Sequence, residues 1–315
     1  MQVGPEIDLT VSKQSCPLCG ADDFDVLATT DRHLLGLRTV GCTTCGLLQT
    51  NPRPDAAALK VFYEQHYRNV YQGVAKPDAS YVANYRKDTR LRYTANYLLD
   101  ALDLRDDSIL LDYGCGEGSL FAALRASGFR GKLAGVEPNP EFARYAAALG
   151  NADVKAELSS FNRLDAVVLN HVLEHLVDPI GVLAEIRCRL VKGGLLYVDV
   201  PDADRYESVS DLHLAHVLHF TSRTLRTTLK AAGFDIVVCE PHDPPHHPHS
   251  LRALARPVVA VVSNGTEFCA HLEQSTWNHL RLLEARRWRW ILSRRMASIR
   301  IIRKTYYAWR RLCGR

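Results

Sequence analysis

The sequence predicts an α/β protein: a doubly wound, mostly parallel sheet with a small cysteine-bearing module before it and a basic helical tail after it. Three observations carry this expectation. Strand-like apolar runs alternate with amphipathic helical stretches from Ser108 to Val262. The first run opens directly into a glycine-rich turn, "GCGEG" at 114–118. Two C-x-x-C-G knuckles, "CPLCG" (16–20) and "CTTCG" (42–46), stand close together near the start.

The elements follow in order. Residues 1–60 hold both knuckles and little helical periodicity, and form the first unit. A linker with leading helices follows over 61–104, where "YVANYRKDTRLRYTANYLLDALDL" (81–104) has amphipathic helical spacing. The sheet domain spans 105–263. Its expected strands are Ser108–Asp112, Lys132–Glu137, Asp165–Asn170, Leu195–Val200, Phe234–Glu240 and Leu251–Val262. Its expected helices are Ser119–Ser127, Pro140–Leu149, Asp178–Val191 and Thr221–Ala232. Gly128, Gly150 and Gly233 stop three of them, and Asp178 with Pro179 starts another as N-cap and first residue. "PHDPPHHPHS" (241–250) reads as a solvated loop, with a second metal site at His242, His246, His247 and His249 as the alternative, although the proline spacing fits no known ligand pattern. Residues 264–315 form the tail.

Bulk composition narrows the class. The 315 residues suit about two domains. Apolar residues make up 47% of them, enough for a sizeable core. No apolar run is long enough to span a bilayer, and "MQVGPEIDLT" lacks the basic start and apolar stretch of a signal peptide. A cytoplasmic protein is therefore expected. The net charge of +4 is unevenly placed. Twelve Lys/Arg against one Glu fall in Trp277–Arg315, so the tail is +11 and the remainder −7.

A dinucleotide loop needs G-x-G-x-x-G, but here Ser119 stands where the third glycine belongs. Asp112 before the turn and Glu117 inside it would repel a pyrophosphate and attract a cationic amino group. Glu137 ends the next strand, where an acidic residue can accept bonds from ribose hydroxyls. Gly114 and Gly116 permit close backbone approach. An adenosine bearing a zwitterionic amino acid suits this set, and S-adenosylmethionine fits that description.

"LLDYGCGEGSL", "GVEPNP", "LNHVLEHLVDP" and "LVKGGLLYVDVPD" resemble the successive motifs of class I S-adenosylmethionine-dependent methyltransferases. The resemblance covers about Tyr81–Val262 and implies a Rossmann-like sheet of seven strands. It also implies that Asp112, Gly114, Gly116 and Gly118, with Cys115 among them, line the methionine end of the cofactor. Glu137 would hold the ribose and Pro138 abut the adenine, with Glu157 the nearest acidic candidate on the adenine side. Asn170 and His171 would face the sulfonium.

Cys16, Cys19, Cys42 and Cys45 make two knuckles whose spacing lets both thiolates of each turn reach one ion. Four thiolates suit tetrahedral Zn²⁺ and leave no open position, so the site is expected to be structural, with redox or iron–sulfur roles as alternatives. The sequence after the second knuckle, "GLLQTNPRPDAAALKVFYEQHY", resembles the N-terminal zinc domain of the sugar C-methyltransferases and their relatives in glycan and natural-product pathways. In that group the module helps cover the acceptor pocket.

Transfer to O–H or C–H needs a base, and histidine suits the role near neutral pH. In the same group the segment after the fifth strand carries a Tyr and then Glu-His acting on the acceptor. Here "DLHLAHVLHFT" places His213 at the Tyr position, Ala215 at the Glu position and His216 at the His. His216 is the expected base, with His213 and His175 assisting. His219 is expected to pack beside Phe220. The missing glutamate weighs against C-methylation.

The tail interleaves Trp, Ile and Leu with Arg, which suits an anionic membrane surface, packing on the acidic body or a second subunit, or nucleic acid. Two rival readings remain at this point. One is a zinc-ribbon RNA methyltransferase, opposed by "NHVL" where base-amino-methylating enzymes carry an N-P-P run. The other is a non-catalytic methyltransferase-like scaffold.

Overall fold

The computed structural model describes residues 11–29, 38–55, 57–59, 61, 77, 89–207, 211–212, 215–258 and 274–287. The expected seven-stranded, mostly parallel sheet is present. Its strands in chain order are β6 (Ile109–Tyr113), β7 (Lys132–Val136), β8 (Asp153–Lys155), β9 (Leu164–Asn170), β10 (Leu190–Pro201), β12 (Phe234–His242) and β13 (Ser250–Pro257). Across the sheet they run β12-β13-β10-β9-β6-β7-β8. β6 pairs in parallel with both β7 and β9, so the chain reverses its direction of winding at that point. β13 lies antiparallel to both of its neighbours, β10 and β12.

The helices divide between two faces because neighbouring strand residues point to opposite sides. Leu110, Ala166, Val168 and Tyr197 share one core with α1 (Thr89–Ala101) and α2 (Ser119–Ala126) and with Ala146 of α3 (Pro140–Gly150). Leu111, Val167, Leu169 and Val198 share the other with α4 (Pro179–Arg189) and α5 (Ser222–Ala231). Asp178 caps α4 as expected, its carboxylate accepting from the Gly181 N–H at 2.9 Å. Thr221 caps α5 through a reciprocal bond with Thr224.

Several details depart from the sequence reading. β8 is a short, largely exposed strand, "DVK", with no apolar signal, and it was not anticipated. β10 reaches back to Leu190 through an irregularity before Leu195. The expected helix over 81–104 is described only as α1, and the strand expected to reach Val262 is described to Pro257.

The cysteine module forms a second sheet, and it borrows a strand. β2 (Phe24–Ala28), β3 (Thr39–Cys42) and β4 (Leu48–Thr50) are completed by β11 (Leu218–His219), from the segment after β10. β1 (Val11–Ser12) pairs with β5 (Arg53–Pro54) beside them. Cys16, Cys42, Cys45 and Leu47 are continuous with the core that contains α4 and α5.

The described part of the tail packs on this module. α6 (Gln274–Ala285) seats Leu280, Trp277 and Leu283 against Leu27, Ala28, Leu48 and Tyr206. His279 Nε2 bonds the Tyr206 carbonyl at 2.6 Å, and Arg287 reaches Thr29 at 2.9 Å. Residues 288–315 lie outside the described set. Among the described residues no helix is long and apolar enough to cross a membrane.

A Cβ on Gly41 would stand 3.0 Å from the Trp277 ring and 3.3 Å from Leu48. Gly41→Val is expected to destabilise the fold by about 1–3 kcal/mol through overpacking, measured by denaturant unfolding. Unchanged stability would mean that α6 does not sit there.

Candidate functional site

The glycine turn leaves β6 with Gly114, Gly116 and Gly118 all at positive φ. Gly114 is the tightest: its φ is 78° and an added Cβ would lie 2.9 Å from Val172. Asp112 precedes the turn and is only 5% exposed. Burial first, then the charges of Glu117 and Glu137, pushes its carboxyl well above the usual carboxylate range. Such a group takes up a cation favourably and an anion poorly. Glu137 braces the turn: its carboxylate accepts from the Gly116 N–H and the Asn139 N–H, both at 3.0 Å. Cys115 points inward instead, its sulfur against Gly135 in the core. Pro138 is exposed at the end of β7, and Glu157 is exposed beyond β8.

The ends of β9 and β10 carry a second constellation. Asn170 closes β9, its Oδ1 buried without a hydrogen-bond partner. His171 follows at φ 56°, a conformation uncommon for a side chain of its size, and its N–H is fixed to the Asp199 carbonyl at 2.8 Å. Glu174 lies one turn on, 1% exposed, and neither carboxylate oxygen has a hydrogen-bond partner. Three imidazoles surround it: His171 Nδ1 at 3.3 Å, His216 Nε2 at 3.8 Å and His175 Nε2 at 4.0 Å from Oε1. His175 is oriented by its other nitrogen, Nδ1, which bonds the Ala215 carbonyl at 2.6 Å. The fold therefore brings His216, His175 and His171 together around one carboxylate. His213 lies outside the described residues.

Beyond His171 stands a buried acid–base pair. Asp199 is 1% exposed and bonds His242 Nε2 at 3.2 Å. Burial pushes the Asp199 carboxyl up, but the His242 hydrogen bond and the charges of His171, His242 and Arg90 outweigh it and hold the group low. His242 also stacks on Tyr93, with ring centroids 6.0 Å apart. The solvated-loop reading of 241–250 is thus corrected for His242, which ends β12 and is buried there. It holds for His246 and His247, which are exposed.

The cysteine sulfurs converge. Cys16–Cys45 and Cys19–Cys42 are each 3.5 Å apart, and all four ligand atoms lie within 4.8 Å of one another. Tetrahedral zinc with bonds of about 2.3 Å would separate its sulfurs by about 3.8 Å, so the set fits such an ion. Gly20 and Gly46 take the positive φ that the knuckles require. The module is tied to the histidine cluster through the backbone. Thr50 N–H donates to the Val217 carbonyl at 2.9 Å and its hydroxyl to the His216 carbonyl at 3.4 Å.

A sheet of this strand order, with an acidic glycine turn after its central strand, is the Rossmann-like fold expected of S-adenosylmethionine-dependent methyltransferases. Residues 85–238 match the family described as "Methyltransferase domain". A curated relative, an uncharacterized 37.1 kDa protein in transposon TN4556 of Streptomyces fradiae, is 29% identical over 170 residues. That match covers 50% of this chain and 49% of the relative, so the chain spans about half the length of the curated protein it matches. Among solved structures, magnesium protoporphyrin IX methyltransferase from Synechocystis PCC 6803 is 14% identical, with 64% of this chain and 100% of that one covered and a TM-score of 0.48. The CcbJ methyltransferase of Streptomyces caelestis is also 14% identical, covering 63% and 99%, with a TM-score of 0.46.

His219 is buried and neutral. Burial drops its pKa from 6.5 to about 3, and Nδ1 shares a 2.8 Å hydrogen bond with the Tyr206 hydroxyl. Below pH 6.5 the unfolded ring takes a proton that the folded one refuses until about pH 3, so stability is lost as pH falls through that window. His219→Gln is expected to make the fall in unfolding free energy shallower there. Equal slopes would mean that His219 protonates freely in the folded state.

Proposed function

We propose that this chain transfers a methyl group from S-adenosylmethionine to an O–H or C–H position of a sugar, glycan or natural-product acceptor, with His216 as the base. The observation that carries the proposal is the meeting of two cation-seeking sites along the same edge of the sheet: the acidic glycine turn and the Glu174–histidine cluster.

S-adenosylmethionine supplies an activated methyl on a sulfonium centre. The residues of the chain bind and orient it. Asp112 attracts the cofactor's amino group, and Gly114 and Gly116 let the backbone approach it. Glu137, at the end of β7, is read as the acceptor of the ribose hydroxyls. Asn170 and His171, at the end of β9, are read as facing the sulfonium.

His216 receives the acceptor's proton. A proton on this ring is held at Nε2, 3.8 Å from the buried Glu174 carboxylate, which stabilises the imidazolium. Ala215 lacks the glutamate that the sugar C-methyltransferases carry beside this histidine. Glu174, reaching in from the opposite segment, supplies a carboxylate at that place and supports the base reading. The four cysteines are read as a structural zinc site. The module of residues 1–60 is read as a cover over the acceptor side, supported by the β4–β11 pairing that ties it to His216. Packing is the reading that the described part of the tail favours, with its contact on a membrane surface or a protein partner left to the stretch beyond.

Gly114→Ala is expected to weaken S-adenosylhomocysteine binding about tenfold, because left-handed strain of about 1–2 kcal/mol adds to the Val172 collision. Calorimetry measures it, and tight uptake of NAD or ATP in place of S-adenosylhomocysteine would sink the cofactor assignment. His216→Ala is expected to keep cofactor affinity while methyl release from labelled cofactor, with a panel of glycoside acceptors, falls by about 10²–10⁴-fold. Unchanged turnover would remove His216 as the base.

A further inference from the structure

The carboxylate of Glu174 is buried with both oxygens lacking a hydrogen-bond partner. A charge of this kind is retained where something cationic occupies the space beside it. His171 Nδ1 comes within 3.3 Å, but no hydrogen bond is aligned on either oxygen. The nitrogens that face Glu174 from the other two sides are Nε2 of His175 and Nε2 of His216. One oxygen and these two nitrogens form a group in which every ligand atom lies within 4.8 Å of the others.

The tautomer of His175 is already set for a metal. Its Nδ1 lies 2.6 Å from the Ala215 carbonyl, which can only accept, so Nδ1 carries the proton and Nε2 presents its lone pair toward Glu174. Metal-binding histidines are oriented in this way, with the second ring nitrogen donating to a carbonyl. The rings of His175 and His216 meet edge to face at 70°, with centroids 4.9 Å apart, so their facing nitrogens converge without stacking. Tetrahedral Zn²⁺ at about 2.0–2.1 Å would need ligand atoms about 3.4 Å apart. From 3.8 and 4.0 Å, a small inward turn of the side chains suffices.

We propose that Glu174, His175 and His216 form a second metal site, for a divalent ion of the zinc type, distinct from the four cysteines, and that its occupancy switches the methyl transfer off. Two imidazoles and one carboxylate suit zinc or cobalt rather than magnesium or calcium, which prefer oxygen ligands throughout. Once Nε2 of His216 donates its lone pair to the ion, Nδ1 must hold the ring's only proton, and the ring accepts no other. The regulatory half rests on the reading of His216 as the base; the binding half does not.

The test is a Co²⁺ titration of the full chain with its cysteine site already loaded with zinc. The expected result is a further equivalent of Co²⁺ giving visible d–d absorption without a thiolate charge-transfer band. Glu174→Gln and His175→Gln, each checked for folding by its melting curve, should weaken this binding by about 10–100-fold or more. Over the same range of metal concentration, turnover should fall by about 10²-fold or more and return when a chelator lifts the second ion. Absence of the further equivalent, or its persistence at full strength in both variants, overturns the site. Turnover that holds or rises at full occupancy overturns the switch. Absence of turnover with every acceptor defeats the methyl-transfer reading, while the absorption spectra still decide the site on their own.

Discussion

A carboxylate taken out of water must be paired, neutralised or given a cation, and this chain buries several along one edge of a sheet. Asp112, Glu174 and Asp199 lie near the C-terminal ends of β6, β9 and β10, each at most 5% exposed. Each meets the constraint differently. Asp112 is driven toward its neutral form by burial and by Glu117 and Glu137. Asp199 keeps its charge, held by His242 and by the cations around it. Glu174 sits unsatisfied among imidazoles. Electrostatics therefore gives this edge a preference for positively charged ligands before any particular ligand is named.

The strand order explains why these groups share one edge. The winding reverses between β6 and β9, the point in such sheets beyond whose strand ends ligands bind. The glycine turn leaves one of these strands and the His171–Glu174 segment the other. Val172 touches the space beside Gly114, so the two halves meet with little room to spare.

The cysteine module is built into this arrangement and does not stand apart from it. β11 joins the module's sheet immediately after His216, and the module's core is continuous with the α4 and α5 side of the main sheet. α6 then covers the module through Trp277 and Leu280. The His216 carbonyl thereby accepts from the Thr50 hydroxyl on β4 of the module, 166 residues earlier.

The sequence by itself determined the succession of strands and helices, their caps at Asp178 and Pro179, the acidic glycine turn and the four converging cysteines. All of these depend on neighbours a few residues apart, where periodicity and turn chemistry act directly. Three-residue β8 and two-residue β11 left no such trace, because their pairing comes from the sheets they join. Only the tertiary structure decided that Glu174 would stand beside His216 from 42 positions away, or that His242 would turn inward to Asp199. Which side chains come to share a buried space is set by how distant segments pack, and no local pattern encodes that.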